Sequence, residues 1–230
     1  MKQLINGLSI LLPFLGGSNM QLVVSEIKAS LQGEGKYTGY PTTFVRLFGC
    51  NLRCKYCDTL YALNGRKKRL SINTVLTEIG KLGNKYICIT GGEPLIQESV
   101  FVLVYELIGK GYIVTIETNG AVALDRDESR SYSYCMDVKC PSSGESDKNI
   151  LDNLDVLLSH DEVKFVIYDY KDYQFAVDTL KKYKTKASVI FSPCFVNGKS
   201  NADQIADWMI EDKIPNARLG VQMHRVIGIY

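Results

Sequence analysis

From residue 43 onward, short apolar runs rich in β-branched residues alternate with segments whose apolar positions recur at helical spacing. The short runs predict strands, because branched side chains pack well on a pleated surface, and the other segments predict helices. The predicted strands are residues 43–48, 86–90, 113–117, 134–138, 163–167, 188–191 and 219–222. The predicted helices are residues 71–82, 97–109, 148–158, 172–183 and 201–212. This alternation predicts an α/β fold with a parallel sheet and right-handed crossovers, either open or partly closed into a barrel.

Two polar stretches are interpreted as solvated surface. Residues 64–69 form a basic turn before a helix, and residues 125–131 mix acidic and basic side chains. No internal repeat or interdomain linker is apparent. The chain of 230 residues therefore predicts one domain with a sizeable core.

Residues 1–19 are interpreted as an N-terminal extension, disordered or upstream of a true start at Met20, and residues 20–230 as the single domain. The extension faintly resembles a signal peptide, but Pro13 interrupts its apolar stretch and its cleavage site is poor. No segment reaches the ~20 apolar residues of a membrane span. The net charge of +2 gives no reason to expect nucleic acid or an anionic membrane as a partner.

Cysteine usage points to a reducing compartment, and we expect the protein in the cytoplasm. The seven cysteines are odd in number and three of them are clustered, which is unlike a secreted disulfide framework. Cys88 lies in an apolar run and is interpreted as a small buried hydrophobe. The sequence assigns no ligand role to Cys135, Cys140 or Cys194, which have no ligand spacing among themselves.

The clustered cysteines, Cys50, Cys54 and Cys57, follow the first predicted strand with the spacing Cys-x3-Cys-x2-Cys. Three thiolates can hold three irons of a cubic iron–sulfur cluster and leave the fourth iron open to a small molecule, whereas electron-transfer clusters usually have all four irons bound by protein. The alternative is a zinc site, but zinc requires four ligands and the chain has only His160 and His224, both remote in sequence.

A second motif, Gly91-Gly92-Glu93-Pro94, follows the second predicted strand. Two glycines allow close approach of the backbone to a ligand, and the neighbouring carboxylate can accept hydrogen bonds from an ammonium group. Taken alone, such a segment is a plain strand–helix loop. Polar residues also follow the third and fourth strands, at Glu117 to Gly120 and at Asp137 to Lys139. Because ligands bind where parallel strands end, all four segments are predicted to meet at one rim.

Together, the cysteine loop with Tyr56 before its third cysteine and the Gly-Gly-Glu-Pro segment resemble the radical S-adenosylmethionine (radical SAM) superfamily. The resemblance implies a partial (β/α)6 TIM-like barrel and a [4Fe-4S] cluster bound by the three cysteines. It further implies that S-adenosyl-L-methionine (SAM) chelates the open iron. Reductive cleavage of its sulfonium would give a 5′-deoxyadenosyl radical that abstracts a hydrogen from the substrate.

The flanking segments narrow the resemblance. Leu31-Gln32-Gly33-Glu34-Gly35, the stretch from Phe44 to Leu52, and the C-terminal segment from Gln222 to Tyr230 together resemble the 7-carboxy-7-deazaguanine synthase family, from about Val24 to the last residue. This family is a group of lyases that convert 6-carboxy-5,6,7,8-tetrahydropterin to 7-carboxy-7-deazaguanine with loss of ammonia, in 7-deazapurine (queuosine) biosynthesis.

The resemblance also implies site residues. Substrate contacts fall on Leu31, Gln32, Gly33, Glu34, Arg46, Thr90, His224 and Tyr230, the last through the terminal carboxylate. SAM contacts fall on Tyr56, Gly91, Gly92, Glu93, Glu117, Asn119, Asp137, Lys139, Tyr168 and Asp169. Thr59 matches a magnesium ligand, with Asp58 beside it to hold the ion's waters. From the residues alone, Asp58 and Thr59 are an N-cap pair for the following helix, which remains the alternative. No protein group is assigned as a catalytic acid or base.

The partners implied are a pterin substrate, an external electron donor such as flavodoxin or ferredoxin, and a second copy of the chain in a homodimer. Two other functions remain open: an activase that installs a glycyl radical on a partner protein, and an electron carrier. An electron carrier would have four protein ligands on its cluster, and its reduced spectra would not respond to SAM.

Overall fold

A computed structural model describes residues 20–195 and 200–229. The predicted extension at residues 1–19 and Tyr230 lie outside the described residues. The strands are β1 (Gln21–Leu31), β2 (Pro41–Leu47), β3 (Lys68–Ser71), β4 (Tyr86–Gly91), β5 (Ile113–Thr118), β6 (Ser133–Val138), β7 (Glu162–Ile167), β8 (Ser188–Pro193) and β9 (Ala217–Leu219). The helices are α1 (Tyr61–Asn64), α2 (Ile72–Leu82), α3 (Val100–Gly109), α4 (Asn153–Val156), α5 (Tyr170–Lys182), α6 (Ala202–Asp212) and α7 (Met223–Ile227).

The strands form one sheet in the order β3-β1-β2-β4-β5-β6-β7-β8-β9. Every pair from β2 to β9 is parallel, whereas β1 pairs antiparallel with both β2 and β3. The predicted parallel sheet is confirmed, and the first six predicted strands correspond to β2 and β4–β8. The predicted strand 219–222 is wrong in position, because pairing with β8 covers only Ala217–Leu219.

Two strands were not predicted. In β1, charged and polar residues interrupt the apolar pattern, and in β3 the sequence Lys-Arg-Leu-Ser is mostly polar. The interpretation of residues 64–69 as a turn is therefore wrong for its last two residues, Lys68 and Arg69. Both strands form because they pair at the edge of the parallel sheet, and not because their own residues favour strand structure.

Local capping accounts for the helix that follows β3. The Ser71 hydroxyl accepts a hydrogen bond from the Thr74 amide at 3.1 Å, and Gly83 ends the helix in the left-handed conformation. The predicted helix 148–158 is wrong over most of its length, since only α4 is α-helical there. The reason is the Asn153 side chain, which donates to the carbonyls of Gly120 and Val122 and ties this segment to the loop after β5.

The two faces of the sheet differ in character. Val45, Ile89 and Ile116 are fully buried in the core that also includes residues of α2, α3 and α5. Positions between them carry polar side chains that line a cavity on the opposite face. Parallel register places such side chains next to each other on adjacent strands, Arg46 beside Thr90 and Asp137 beside Lys164. No helix within residues 20–195 and 200–229 is long and apolar enough to cross a membrane.

Candidate active site

The cysteine loop runs from the end of β2 to α1 and is held on both flanks. The Gly49 amide donates to the Ala62 carbonyl at 2.8 Å, and the Lys55 amide donates to the Ser143 carbonyl at 2.9 Å. All three clustered cysteines are partly exposed and line one cavity, whereas Cys88 and Cys140 are buried away from it. The structure therefore brings Cys50, Cys54 and Cys57 together on a shared surface, and the buried place predicted for Cys88 is confirmed.

The two glycines of the Gly-Gly-Glu-Pro segment hold this loop against β4. Gly91 has φ of +141°, and a β-carbon there would overlap the Leu47 carbonyl. A β-carbon on Gly92 would overlap the Gly49 carbonyl and crowd the Cys50 side chain. The Glu93 amide donates to the Gly49 carbonyl at 2.8 Å. Both glycines are needed because two backbone segments touch, in addition to lining the cavity.

Glu93 lies behind the cavity rather than on its wall. Its side chain is fully buried and accepts hydrogen bonds from the amide of Asn119 at 2.6 Å, the amide of Leu95 at 2.9 Å and the hydroxyl of Thr118 at 2.9 Å. Burial raises the pKa of Glu93 although these three donors oppose the shift. The Glu93 carboxylate thereby fixes the backbone that carries Asn119. Glu93 is not among the residues that line the cavity, so the predicted contact of the Glu93 side chain with SAM has no support from the cavity.

Asn119 connects the end of β5 to the cysteine loop. Its side-chain amide donates to the Asn51 side chain at 2.8 Å and approaches the Cys50 sulfur at 3.5 Å. Tyr56 also lines the cavity, and its hydroxyl is buried with no hydrogen-bond partner among the described residues. Burial raises the pKa of Tyr56 well above the usual range for tyrosine, so this hydroxyl stays protonated and able to donate.

A chain of opposite charges crosses the cavity floor. Lys139 Nζ lies 3.0 Å from Asp137 Oδ2, Lys164 Nζ lies 3.7 Å from the same oxygen, and Lys164 also donates to Glu34 at 2.8 Å. Burial disfavours the charged form of Asp137, but the two lysines outweigh it and hold the pKa of Asp137 below its usual range. Asp137 Oδ1 is buried and has no partner in the described part of the chain, so it can accept a bond from a ligand.

The Gln32–Glu34 segment meets the C-terminal helix at another part of the cavity. The Met223 amide donates to the Gly33 carbonyl at 2.9 Å, and the Gln222 side chain donates to Glu34 Oε1 at 2.8 Å. A β-carbon on Gly33 would overlap the imidazole of His224. Gly33 is required here because α7 packs directly on its backbone.

Arg46 and Thr90 face the same cavity from neighbouring strands. The Arg46 Nε atom is buried without a hydrogen-bond partner in the described structure, and it lies 3.7 Å from Glu26 Oε2. The Thr90 hydroxyl donates to Glu117 at 2.7 Å. A guanidinium that lines a cavity and keeps an unsatisfied donor is suited to bind a carboxylate.

Thr59 and Asp58 lie on the cavity wall and hydrogen bond to each other at 2.7 Å. Neither caps α1, because that helix has Leu60 at its N-cap and no side-chain capping bond. Their side-chain oxygens remain at the cavity, where oxygen ligands suit a magnesium ion that retains several waters.

The cavity has a volume of about 670 Å³ and includes nearly all of the predicted site residues. Besides Glu93, two of them lie elsewhere. Tyr168 is about half exposed, and Asp169 caps α5 by accepting a hydrogen bond from the Asp172 amide at 3.0 Å. The predicted roles of Tyr168 and Asp169 in SAM binding therefore have no support from the cavity. Tyr230 lies outside the described residues.

Several cavity residues were missed from the sequence: Glu26, Lys28, Cys135, Lys164, Cys194, Gln222 and Arg225. The strand alternation around Lys164 could have placed it beside Asp137, given the sheet register. No local pattern identifies the others. Cys135 and Cys194, which were assigned no ligand role, line the same cavity as the clustered cysteines.

A parallel α/β sheet whose strand ends carry three partly exposed cysteines beside a glycine-bearing strand end defines a radical SAM protein. The family model for the Radical SAM superfamily matches residues 45–128. The chain is 42% identical over 219 residues to the 7-carboxy-7-deazaguanine synthase of Koribacter versatilis, an alignment that covers 89% of this chain and 96% of the relative. Over 210 residues it is 44% identical to the enzyme of that name from Methanospirillum hungatei, covering 90% and 85% of the two chains.

The chain therefore belongs to the 7-carboxy-7-deazaguanine synthase family. The solved structure of QueE from Escherichia coli matches with a TM-score of 0.74 and 25% identity, covering 92% of this chain and 98% of that one. These matches confirm the predicted fold, a partial (β/α)6 barrel of the radical SAM type, and the prediction of a radical SAM enzyme that uses a [4Fe-4S] cluster and SAM.

The residues present fit that cluster. Three thiols face a common cavity, the loop that carries them is fixed at both flanks, and Lys139 counteracts the effect of burial, which raises the pKa of the Cys54 thiol. Within the described ranges, no three His, Cys, Asp or Glu side chains converge as they would around one metal ion. A cubic cluster does not require such convergence, because each of the three thiolates would bind a different iron.

Proposed function

We propose that this chain converts 6-carboxy-5,6,7,8-tetrahydropterin to 7-carboxy-7-deazaguanine with loss of ammonia, a step in 7-deazapurine biosynthesis. The observation that carries the proposal is one continuous cavity. Cys50, Cys54 and Cys57 line part of it, and Gln32, Arg46 and His224 line another part. The names of the relatives support the same reaction.

The polar groups of this cavity match the chemistry of such a substrate. The Arg46 guanidinium offers a buried, unsatisfied donor to the substrate carboxylate. Gln32 Oε1 accepts from the Gly33 amide at 2.9 Å, which leaves the Gln32 amide nitrogen to donate to an aminopyrimidinone. The absence of a side chain at Gly33 leaves room for the His224 imidazole at the cavity. His224 lies against this segment and would contact the same ligand.

Each part of the cofactor site has a matching role. When bound, the cluster and SAM supply the radical that abstracts a hydrogen from the substrate. The three thiolates hold the cluster, Gly91 and Gly92 keep the loop in place, and Asn119 orients Cys50. Asp137 and Lys139 present opposite charges that suit the amino and carboxylate groups of the methionine part of SAM.

Magnesium is part of the proposal. The hydroxyl of Thr59 would coordinate the ion together with the substrate carboxylate, and Asp58 would hold its waters. The homodimer remains a prediction that light scattering of the purified protein tests.

The test is an anaerobic assay of protein with a reconstituted cluster, given SAM, the carboxylated tetrahydropterin, magnesium and dithionite. We expect the deazaguanine product and released ammonia in equal amounts. The absence of product, with 5′-deoxyadenosine still formed, would reject the substrate and favour a peptide substrate of the activase type. Spectra of the reduced cluster that do not respond to SAM would instead indicate an electron carrier.

A further inference from the structure

Six cations lie within the cysteine loop or shortly after it in the sequence, and the sequence interpretation left the last four, at residues 66–69, as solvated surface. They are Arg53, Lys55, Arg66, Lys67, Lys68 and Arg69, and all six are exposed. Between Cys50 and Arg69, the one acidic residue is Asp58. We refer to these six residues as the basic surface. It concentrates positive charge in one region of a chain whose net charge is only +2.

Two of these cations lie within the loop, and others lie near its start. Arg53 and Lys55 lie between the cluster cysteines, beside the segment after β6. Lys67 Nζ lies 4.5 Å from the centre of the Phe48 ring, directly before the loop. Lys68 pairs with Val24, and Val24 pairs with Leu47 at the end of β2, which places Lys68 two strands from the loop.

The charged side chains of the six residues form no ion pairs within the described chain. Among the described residues, none of the six forms a salt bridge. The Arg53 guanidinium donates only to the backbone carbonyls of Cys50 and Leu52, whereas the Arg53 backbone amide donates to Glu145 Oε1 at 2.7 Å. By contrast, Lys186 at the other end of the parallel strands lies 3.9 Å from Glu128. Unpaired, exposed charges of one sign generate a local potential that steers oppositely charged partners.

We propose that the basic surface is the docking site of an acidic one-electron carrier protein. The proposal rests on the proposed function, because a radical SAM enzyme must receive its electron from outside. Electron delivery requires the donor to come close to the cluster. The basic surface includes two residues of the loop that carries the cluster ligands, and Lys67 lies beside the start of that loop. A partner of negative charge fits it, whereas a basic or neutral carrier gains nothing from it.

The test compares two triple variants that change the charge by the same amount. Arg66→Glu/Lys67→Glu/Lys68→Glu reverses part of the basic surface. Lys184→Glu/Lys186→Glu/Lys213→Glu reverses three exposed lysines near the starts of β8 and β9, at the opposite end of the sheet. The readout is the rate of 5′-deoxyadenosine release by the reconstituted holoenzyme, driven either by a reduced flavodoxin of strongly negative net charge or by saturating dithionite.

We expect the ratio of the flavodoxin-driven rate to the dithionite-driven rate to fall at least about tenfold in the first variant at low salt. The same ratio should stay within about twofold of the native value in the control variant, and added salt should lower it for the native protein. An unchanged ratio in the first variant, or an equal fall in both variants, would overturn the proposal. Because release of 5′-deoxyadenosine is measured, failure of the pterin assignment leaves this comparison intact.

Discussion

Among single residues, the cysteines that line the cavity pose the sharpest question. Five of them do so, Cys50, Cys54, Cys57, Cys135 and Cys194, and only the first three belong to the motif. Burial raises the pKa of Cys194 to about 11 and that of Cys135 well above the usual value, so both thiols are protonated at neutral pH. Burial also raises the pKa of Cys54, so thiol protonation does not separate the two groups; what distinguishes Cys50, Cys54 and Cys57 is their place in one loop that is held on both flanks.

Serine substitutions test this division. Cys50→Ser, Cys54→Ser and Cys57→Ser should each abolish a stable four-iron cluster, because a hydroxyl does not replace a thiolate at neutral pH. The matched controls, Cys135→Ser and Cys194→Ser, should retain native iron and sulfide content and a SAM-dependent change in the spectrum of the reduced cluster. Loss of the cluster in either control would mean that the fourth iron has a protein ligand.

Arg46 allows a test of carboxylate recognition. Arg46→Lys keeps the charge but loses the Nε donor and the planar geometry, so we expect KM for the carboxylated pterin to rise at least about tenfold, roughly 1.4 kcal/mol, with little change in kcat. The inhibition constant of a pterin without the carboxylate should be the same for both proteins. An equal loss of affinity for both ligands would show that Arg46 acts on the fold of the cavity instead.

Thr59 tests the magnesium proposal in the same way. Thr59→Ser retains the hydroxyl and should keep the native dependence on magnesium, whereas Thr59→Ala should raise the magnesium concentration needed for half-maximal activity at least about fivefold. Circular dichroism should be unchanged in both variants, since neither Thr59 nor Asp58 caps α1. If both variants required the same magnesium concentration as the native protein, Thr59 would not be a magnesium ligand.

The strands and helices that could be predicted from the sequence are those with a clear local pattern of apolar residues. The runs that became β2 and β4–β8 carry apolar residues at alternate positions that face the core, and their ends carry the motifs, so one shared rim followed from parallel topology. β1 was missed because Glu26, Lys28 and Ser30 are polar, and they are polar because they face the cavity. The polar residues that form the site therefore interrupt the apolar pattern by which β1 could have been predicted. The position of Lys164 beside Asp137 follows only from the pairing of β6 with β7.

Substitution of Gly92 tests whether the cysteine loop depends on its close contact with the end of β4. Gly92→Ala places a methyl group against the Gly49 carbonyl, so we expect displacement of the loop, loss of cluster and a destabilisation of about 1–3 kcal/mol. Gly80→Ala is the control. Gly80 lies exposed within α2 with nothing near its would-be β-carbon, and alanine there should stabilise the fold by about 0.4–1 kcal/mol with native activity. Thermal unfolding and iron content distinguish these outcomes, and a native cluster in Gly92→Ala would contradict the contact.

Across the whole molecule, Glu34 joins segments that are far apart in the chain. One carboxylate oxygen accepts from Lys164 on β7 and the other accepts from Gln222, which precedes α7, and Arg225 Nε in turn donates to Gln222 Oε1 at 3.0 Å. Both oxygens are therefore engaged within the protein. These bonds make Glu34 a positioning residue that holds α7, which carries His224, at the cavity; its direct contact with the substrate stays a prediction.

A substitution of Lys164 tests whether the contacts of Glu34 position α7 or whether Lys164 itself contacts the reacting substrate. Lys164→Met removes one of the two bonds to Glu34 and leaves that partly buried carboxylate with one bond fewer, so α7 should detach more often. We expect faster hydrogen exchange at residues 223–229, a several-fold rise in KM for the pterin, and a smaller change in kcat. Lys171→Met, on the exposed surface of α5, is the control and should leave both measurements native. Unchanged exchange at residues 223–229 in Lys164→Met, together with a large fall in kcat, would instead place Lys164 among the groups that touch the reacting substrate.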